Sequence, residues 1–372
     1  MEARAITPSG RLGRVQRLAA GGDLPTVAVG GQGIRAVAWQ ERTNGGAPRL
    51  RVAVARSVEA FGRPETLASV PPTARPSGLA VSSDGRIVAV WQQGGEVRYA
   101  LRAAGERRFG AARRLARIGP LSGPTMAEDP GTGDVLVTWG TVPGERNQQA
   151  AVATLPRGAT TFAAPWIVSG RDAEEQQGAE AYPRVFTGPG GAVVGYGVGG
   201  QQPNLLRSAS RVPGGGFAPS RTIAGVDVSS GEVGYVGPVL ALPADGATVA
   251  AWTVTGTQGP EDPRPTGADT FVATAAPGAH FGELRRLTSG GALRFGPAAV
   301  STDQATFVAW AERTDRGRRV RYAVRPDGGP LGAPRALSSH RADGDVVLAA
   351  AGRRVLATWQ EGDQLRLASP PN

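Results

Sequence analysis

The sequence predicts an all-β fold made of repeated four-stranded antiparallel sheets. Three observations carry that expectation: an aromatic residue recurring at a near-constant interval, a strand pattern repeated around it, and chain ends that complement one another. Seven times a run of small apolar residues ends in an aromatic: Ala36-Val37-Ala38-Trp39, Val88-Ala89-Val90-Trp91, Leu136-Val137-Thr138-Trp139, Val193-Val194-Gly195-Tyr196, Val249-Ala250-Ala251-Trp252, Phe307-Val308-Ala309-Trp310 and Leu356-Ala357-Thr358-Trp359. The steps are 52, 48, 57, 56, 58 and 49 residues. A period of that size is the mark of a repeat architecture.

Each repeat reads as four strands. Thirteen to fifteen residues before the aromatic stands a proline in six copies, Pro25, Pro76, Pro124, Pro183, Pro238 and Pro297. Proline cannot donate a ladder hydrogen bond, so it is expected at a strand start. A short apolar strand follows, as in Leu79-Ala80-Val81, then a turn such as Ser82-Ser83-Asp84-Gly85, then the aromatic strand. Turn chemistry between two apolar runs signals a hairpin. The third strand alternates, as in Val97-Arg98-Tyr99-Ala100 and Val320-Arg321-Tyr322-Ala323. After a Gly-rich turn, a large apolar residue is followed six residues on by another: Phe61/Leu67, Phe109/Leu115, Phe217/Ile223, Phe281/Leu287 and Leu331/Leu337. The first two strands are continuously apolar, which means burial on both faces. Sheets covered by neighbours on both faces, with a wet outer edge, are the blades of a β-propeller. The expected architecture is a seven-bladed propeller forming one domain over residues 1–372, with blades at 24–69, 75–118, 123–169, 182–224, 237–289, 296–338 and 343–369.

The ends bear on closure. The last repeat stops at Gln364-Leu365-Arg366-Leu367-Ala368, after a third strand, while Leu12 and Leu18 stand six apart with no inner strands before them. Residues 13–20 are therefore expected to complete the last blade and remove an exposed edge. Residues 1–8 also resemble a third strand, so two copies compete for that pairing.

Composition narrows the function classes. Gly and Pro, 55 and 30 of 372 residues, recur at turn positions and so punctuate strands. The net charge is +10, and all 41 basic residues are Arg. With Ala, Gly and Pro abundant, this points to a high-GC coding sequence, and the scatter of Arg among acidic residues favours a solvated outer face over a nucleic-acid footprint. Arg98 to Arg117 is the densest basic stretch. Cysteine is absent, so there are no disulfides and no thiolate metal site. No apolar span is long enough to cross a membrane. Met1-Glu2-Ala3-Arg4 leads into polar sequence without a signal core, so either the protein stays in the cytoplasm or a leader precedes it; an extracytoplasmic or secreted location is the expectation carried forward. No cofactor and no metal is expected, and the protein is expected to be a monomer.

Functional residues are sought on the long loops, where a rigid scaffold usually presents them. The longest insertions are Gly170–Tyr182, Gly225–Pro238 and Thr253–Asp269. In a propeller all three emerge on one face, around the fourth and fifth blades. They carry Tyr182, Asp227, Glu232, Tyr235, Arg264 and Asp269, an acidic rim with tyrosines suited to a glycan, a cation or a basic peptide. A second constellation is Arg75, Arg184 and Arg294, each at a blade entry, where convergent guanidinium groups clamp a carboxylate. The two histidines, His280 and His340, fall in turns and read as surface residues.

The repeat resembles the sialidase-type propeller superfamily, whose turns between third and fourth strands carry an Asp-box, Ser-x-Asp-x-Gly-x-x-Trp. The equivalents here are degenerate: Pro213-Gly214-Gly215-Gly216-Phe217, Pro277-Gly278-Ala279-His280-Phe281 and Arg325-Pro326-Asp327-Gly328-Gly329-Pro330-Leu331. They keep a Gly and the following large apolar residue. The chain also resembles secreted propellers of high-GC bacteria. The superfamily's sialidases have six blades, an arginine triad, a Tyr/Glu pair and an early Phe/Tyr-Arg-Ile-Pro motif. Here seven repeats are counted, and the nearest match, Ser210-Arg211-Val212-Pro213, lies mid-chain at a third-strand end. Two readings follow. The first is a non-catalytic propeller that binds a glycan, peptide or protein through the loops of blades four and five. The second, implied by the resemblance, is a glycoside hydrolase in which Arg75, Arg184 and Arg294 hold a sugar carboxylate and Tyr235 with Glu232 supplies nucleophile and base.

Overall fold

A computed structural model describes residues 1–3, 13–30, 33–43, 46–56, 60–69, 76–118, 123–141, 149–169, 179–199, 204–211, 216–226, 234–257, 265–288, 296–314, 317–338, 342, 345–362 and 364–370. The fold is all-β, and no α-helix occurs among the described residues. The chain divides into two compact units, Met1–Ile167 with Ala181–Val185, and Val168–Glu180 with Phe186–Asn372.

The first unit opens with a two-stranded sheet, β1 (Glu2–Ala3) on β2 (Gln16–Arg17). The first repeat forms β3 (Asp23–Val29), β4 (Arg35–Thr43), β5 (Gly46–Ala55) and β6 (Glu65–Ser69). The second forms β7 (Pro76–Val81), β8 (Ile87–Gln93), β9 (Glu96–Arg102) and β10 (Arg113–Arg117), and the third β11 (Thr125–Glu128), β12 (Val135–Thr141), β13 (Gln149–Leu155) and β14 (Trp166–Ile167). Each is a four-stranded antiparallel meander in chain order. The sheets pack face to face: Ala36, Ala38 and Val52 meet Leu79, Val81 and Ala89, while Val88, Val90 and Tyr99 meet Val135, Val137 and Trp139. Continuous apolar runs are thus buried from both sides, as a sheet stacked between two neighbours requires.

The second unit repeats the plan. Its strands are β15 (Ala179–Gly188), which crosses the division, β16 (Gly191–Gly199), β17 (Asn204–Ser210) and β18 (Arg221–Val226); then β19 (Gly234–Ala241), β20 (Thr248–Thr257), β21 (Pro265–Ala275) and β22 (Arg285–Arg286). The sixth repeat gives β23 (Ala298–Ser301), β24 (Ala305–Thr314), β25 (Gly317–Pro326) and β26 (Arg335–Ala336). The seventh gives three strands, β27 (Val347–Ala351), β28 (Arg354–Glu361) and β29 (Gln364–Ala368). The pairing recorded for the N-terminal segment is β2 with β1, so of the two competing third-strand copies it is the N-terminal one that pairs with it.

The aromatic that defines the repeat is buried every time, from 0% exposed at Trp39, Trp91, Tyr196 and Trp310 to 6% at Trp359. Trp252 packs with Val193 and Leu206 of the repeat before it, and Trp359 with Phe307 and Tyr322. Trp39 meets Leu18, Ala19 and Met1 instead, so the N-terminal segment covers it as a preceding repeat covers the others. Close approach of neighbouring inner strands explains why the runs are small. Within the run of the fourth repeat, a Cβ on Gly195 would lie 2.7 Å from Leu240 Cδ1.

The prolines behave in two ways. Pro76 starts its strand, and Pro124 and Pro297 immediately precede theirs. Pro25, Pro183 and Pro238 lie inside β3, β15 and β19. There the strand runs on, and in β3 and β19 the ladder slips at the proline, between Asp23 and Thr26 and between Val236 and Val239. A bulge leaves one residue unpaired, which is what a residue lacking an N–H needs.

Candidate functional site

Each sheet has two ends. The turns joining first to second and third to fourth strands share one end; the second-to-third connections leave from the other. Among the described residues, Tyr182, Tyr235 and Asp269 belong to the second end. In the fifth repeat Tyr235 of β19 pairs with Val254 of β20, which pairs with Asp269 of β21. The β20–β21 ladder continues past this row to Thr257 opposite Pro265. Most of the insertion Thr253–Asp269 is therefore hairpin rather than irregular loop, and Ala179–Tyr182 and Gly234–Pro238 are likewise strand. Period-two alternation is too weak over such polar residues to mark these extensions in the sequence.

Asp269 has its partners. Its Oδ1 accepts from Arg286 Nη2 at 2.8 Å and from the Thr288 hydroxyl at 2.8 Å. Thr288 Oγ1 in turn accepts the Thr270 N–H at 3.1 Å, and Thr270 Oγ1 lies 3.1 Å from Thr253 Oγ1. Thr253, Thr270 and Thr288 are buried, so this polar row is fixed in place across three neighbouring segments of one sheet. Thr125 and Thr138 make a similar pair at 2.9 Å in the third repeat, where Thr125 Oγ1 also takes the Val185 N–H at 3.1 Å.

Of the sequence-derived candidates, Arg184 stands in β15 with its side chain exposed. Tyr182 and Tyr235 lie in β15 and β19. Arg75, Asp227, Glu232, Arg264 and Arg294 lie outside the described residues, as does His340; His280 is exposed in the turn after β21. Among the described residues no group of three His, Cys, Asp or Glu side chains is placed to hold a metal ion.

Sequence reasoning missed a row of arginines. The third-strand residue opposite the aromatic is Arg51, Arg98, Arg207, Arg321 and Arg366 in five repeats, and Ala151 and Phe271 in the others. Arg51, Arg207 and Arg321 reach across to the fourth-strand side, while Arg98 and Arg366 pair with Glu96 and Glu361. Arg207 donates to Thr222 Oγ1 and Ser220 Oγ, both at 3.0 Å, and Arg321 donates to Pro334 O at 2.9 Å. Two residues beyond the aromatic sits an acceptor: Gln93 takes the Trp91 indole N–H at 3.0 Å, and Glu312 takes that of Trp310 at 3.3 Å while pairing with Arg321 at 3.0 Å. The signal was present as Trp-x-Glu/Gln followed by an Arg in the next strand. Much of the Arg excess thus stitches sheet edges.

The turn end carries a second recurring device. In the first unit Asp84 accepts from Arg86 Nε and from the N–H of Gly158 in the next repeat, at 2.9 and 3.1 Å. Arg86 also donates to Pro156 O and Ala159 O, both at 2.8 Å. Burial pushes the Asp84 carboxyl up, but hydrogen bonds from Arg86, Ser82 and Gly158 outweigh it and hold the group down at about 2. In the second unit Asp245 takes Arg325 Nη2 at 2.7 Å and the Gly328 N–H at 2.8 Å. Burial again opposes and Arg325 with the backbone donors prevails, so Asp245 is also lowered. Each aspartate clasps its own repeat to the following one.

No family model and no curated protein matches the sequence. Solved structures do match in fold. A polysaccharide lyase of family PL25, an ulvan lyase bound to -[GlcA(1-4)Rha3S]-, aligns with TM-score 0.57 and 12% identity over 91% of this chain and 90% of its own. The Dos1 propeller aligns with TM-score 0.51 and 10% identity over 92% and 79%. The NanB sialidase of Streptococcus pneumoniae aligns with TM-score 0.46 and 8% identity over 95% and 67%. The fold is a β-propeller, at a distance from all three in sequence. No helix among the described residues is long and apolar enough to cross a membrane.

Proposed function

We propose that this protein is a non-catalytic binding propeller of seven blades that holds a glycan at the loop end of its fifth repeat. The observation that supports this reading most is the buried polar row of that repeat. Its β20–β21 hairpin is prolonged to Thr257 and Pro265, and the buried threonine row with Asp269 anchors the prolongation. Tyr235 enters on the same row, with Glu232, Arg264 and Asp227 in the adjoining connections. A tyrosine ring gives a sugar an apolar platform and a hydroxyl for hydrogen bonding, and an arginine beside it suits a carboxylated sugar. The lyase of the same fold, bound to a GlcA-containing ligand, makes glycans the first class to try. Tyr182, Arg184, Arg75 and Arg294 remain further candidates, each to be tested by its own alanine variant. The N-terminal segment supports the seven-blade reading: Gln16 exchanges two hydrogen bonds with the Phe61 backbone, and Glu65 takes the Phe109 N–H in the corresponding place of the next repeat. Both contacts are what the proposal asks of residues 13–20 as the fourth strand that completes the last blade. An extracytoplasmic location suits a glycan ligand.

The test is a glycan array followed by titration of the best ligand. Tyr235→Ala and Arg264→Ala are each expected to weaken binding at least tenfold. Unchanged affinity in both variants sinks the site. Release of product from a fluorogenic sialoside, lost in Glu232→Gln, would replace this reading with a hydrolase of sialidase type.

A further inference from the structure

The turn end offers a site that owes nothing to the loop end. Asp84 and Asp245 both stand seven residues before the repeat aromatic; in the fourth repeat that position is Pro189. The receiving turns are alike. Gly158, Gly278 and Gly328 have φ of 76°, 74° and 68°, and the turns are closed by Ala159 N–H to Pro156 O, Ala279 N–H to Ala276 O and Gly329 N–H to Pro326 O, each at 3.0 Å. Gly158 and Gly328 give their N–H to the aspartate of the preceding repeat. Gly278 finds no such acceptor among the described residues. The N–H donor of the clasp is therefore in place at the fourth-to-fifth junction, and the carboxylate is missing.

A cation is there too. Arg221, on β18 of the fourth repeat, donates from Nη1 to Ala279 O at 2.6 Å, and its Nη2 lies 3.9 Å from where a Cβ on Gly278 would stand. The fourth repeat cannot supply the acid from its own turn as built. Gly188 and Gly190 are pressed against the Leu242–Pro243 backbone, and Pro189 between them is exposed. What remains is a cavity of about 310 Å³ lined by Ser208, Ser210, Arg221, Thr248, Gly278 and Phe281 among others. That volume sits at the small end of ligand pockets. The first-to-second junction also lacks the aspartate, having Gln32 at that position, and holds a cavity of about 220 Å³. Asp84 and Glu106 line that one, which disfavours an anion.

We propose that the cavity between the fourth and fifth repeats binds a carboxylate, from a small organic acid or a uronic acid. One carboxylate oxygen takes the place of the absent aspartate on the Gly278 N–H, and the other meets the Arg221 guanidinium. Charge-assisted pairs of this kind are the strong ones. The serine and threonine hydroxyls complete the acceptor and donor set for the rest of the ligand.

Calorimetric titration of the full chain with sodium acetate, glucuronate, glucose and inorganic phosphate tests it. Saturable binding of acetate or glucuronate is expected, with none for glucose. Tighter glucuronate than acetate assigns a sugar acid; equal affinity assigns a small acid. Arg221→Ala should weaken binding at least tenfold. Pro189→Asp, which restores the internal carboxylate, should abolish it, and Arg221→Ala serves alone if Pro189→Asp does not fold. Carboxylate binding lost in Tyr235→Ala and kept in Arg221→Ala would place the ligand at the loop end and overturn the proposal. No saturable carboxylate binding, phosphate binding at least as tight as carboxylate, or wild-type affinity in Arg221→Ala overturns the proposal.

Discussion

In the sixth repeat Trp310 stands opposite Arg321, gives its indole N–H to Glu312, and Glu312 pairs with Arg321 at 3.0 Å. In the fifth, Trp252 stands opposite Phe271, whose ring stacks on it at 6.0 Å and 21°, and the residue two beyond is Val254. The same buried aromatic is thus held by a charged triad in one sheet and by an apolar stack in the next. The difference shows which part of the row is obligatory. Burial of the ring recurs in all seven repeats, whereas its cross-strand partner only has to satisfy itself, either by hydrogen bonds and an ion pair or by apolar contact.

That comparison can be broken hardest at the shared element. Trp310→Ala and Trp252→Ala should each cost about 4 kcal/mol, seen as lowered urea midpoints, because both leave a cavity between stacked sheets. A much smaller loss in either would mean that the ring is not the common anchor. Next in size, Arg321→Ala should cost about 3 kcal/mol, since it strands Glu312, only 6% exposed in its side chain, without its cation. Glu312→Ala should cost less, because Arg321 is 30% exposed and keeps Pro334 O. The reverse order would refute the triad.

The clasp at the other end of the sheets comes next. Asp84→Ala should cost about 2 kcal/mol at neutral pH, the scale of a carboxyl lowered from 3.8 to about 2. A depressed carboxyl contributes stability above its unfolded value and loses it as pH falls through the folded one. Wild type should therefore lose this stability between about pH 4 and pH 2, and the variant should show a flatter acid limb in thermal melts. The smallest effect is the sharpest test. Converting the sixth repeat to the fifth, Glu312→Val with Arg321→Phe, should change the unfolding free energy read from urea titration by no more than about 1 kcal/mol, because replacing a whole buried pair is often nearly neutral.

The architecture was legible because burial repeats: Trp39 to Trp359 each end a run that must be covered from both sides. The prolines were half legible, since a bulge lets Pro25 and Pro238 sit inside a strand where a start was expected. The arginine row lay open in Leu50-Arg51-Val52 and Val320-Arg321-Tyr322, but composition alone made those residues look solvated. The candidate site was the least legible part. Tyr235 and Asp269 fall on one row only through strand pairing, and the Gly278 turn gains meaning only beside Gly158 and Gly328. A missing aspartate is visible only once its neighbours' aspartates are seen to act.

The clasps also set an order of events during synthesis. Asp84 leaves the ribosome 74 residues before Gly158, and Asp245 83 residues before Gly328. At roughly 5–20 residues per second, the acid waits on the order of 4–16 s for its donor. The sheets of the second and fifth repeats therefore gain their clasps only when the turn of the following repeat has emerged, so that downstream turn, not the local sequence, completes them.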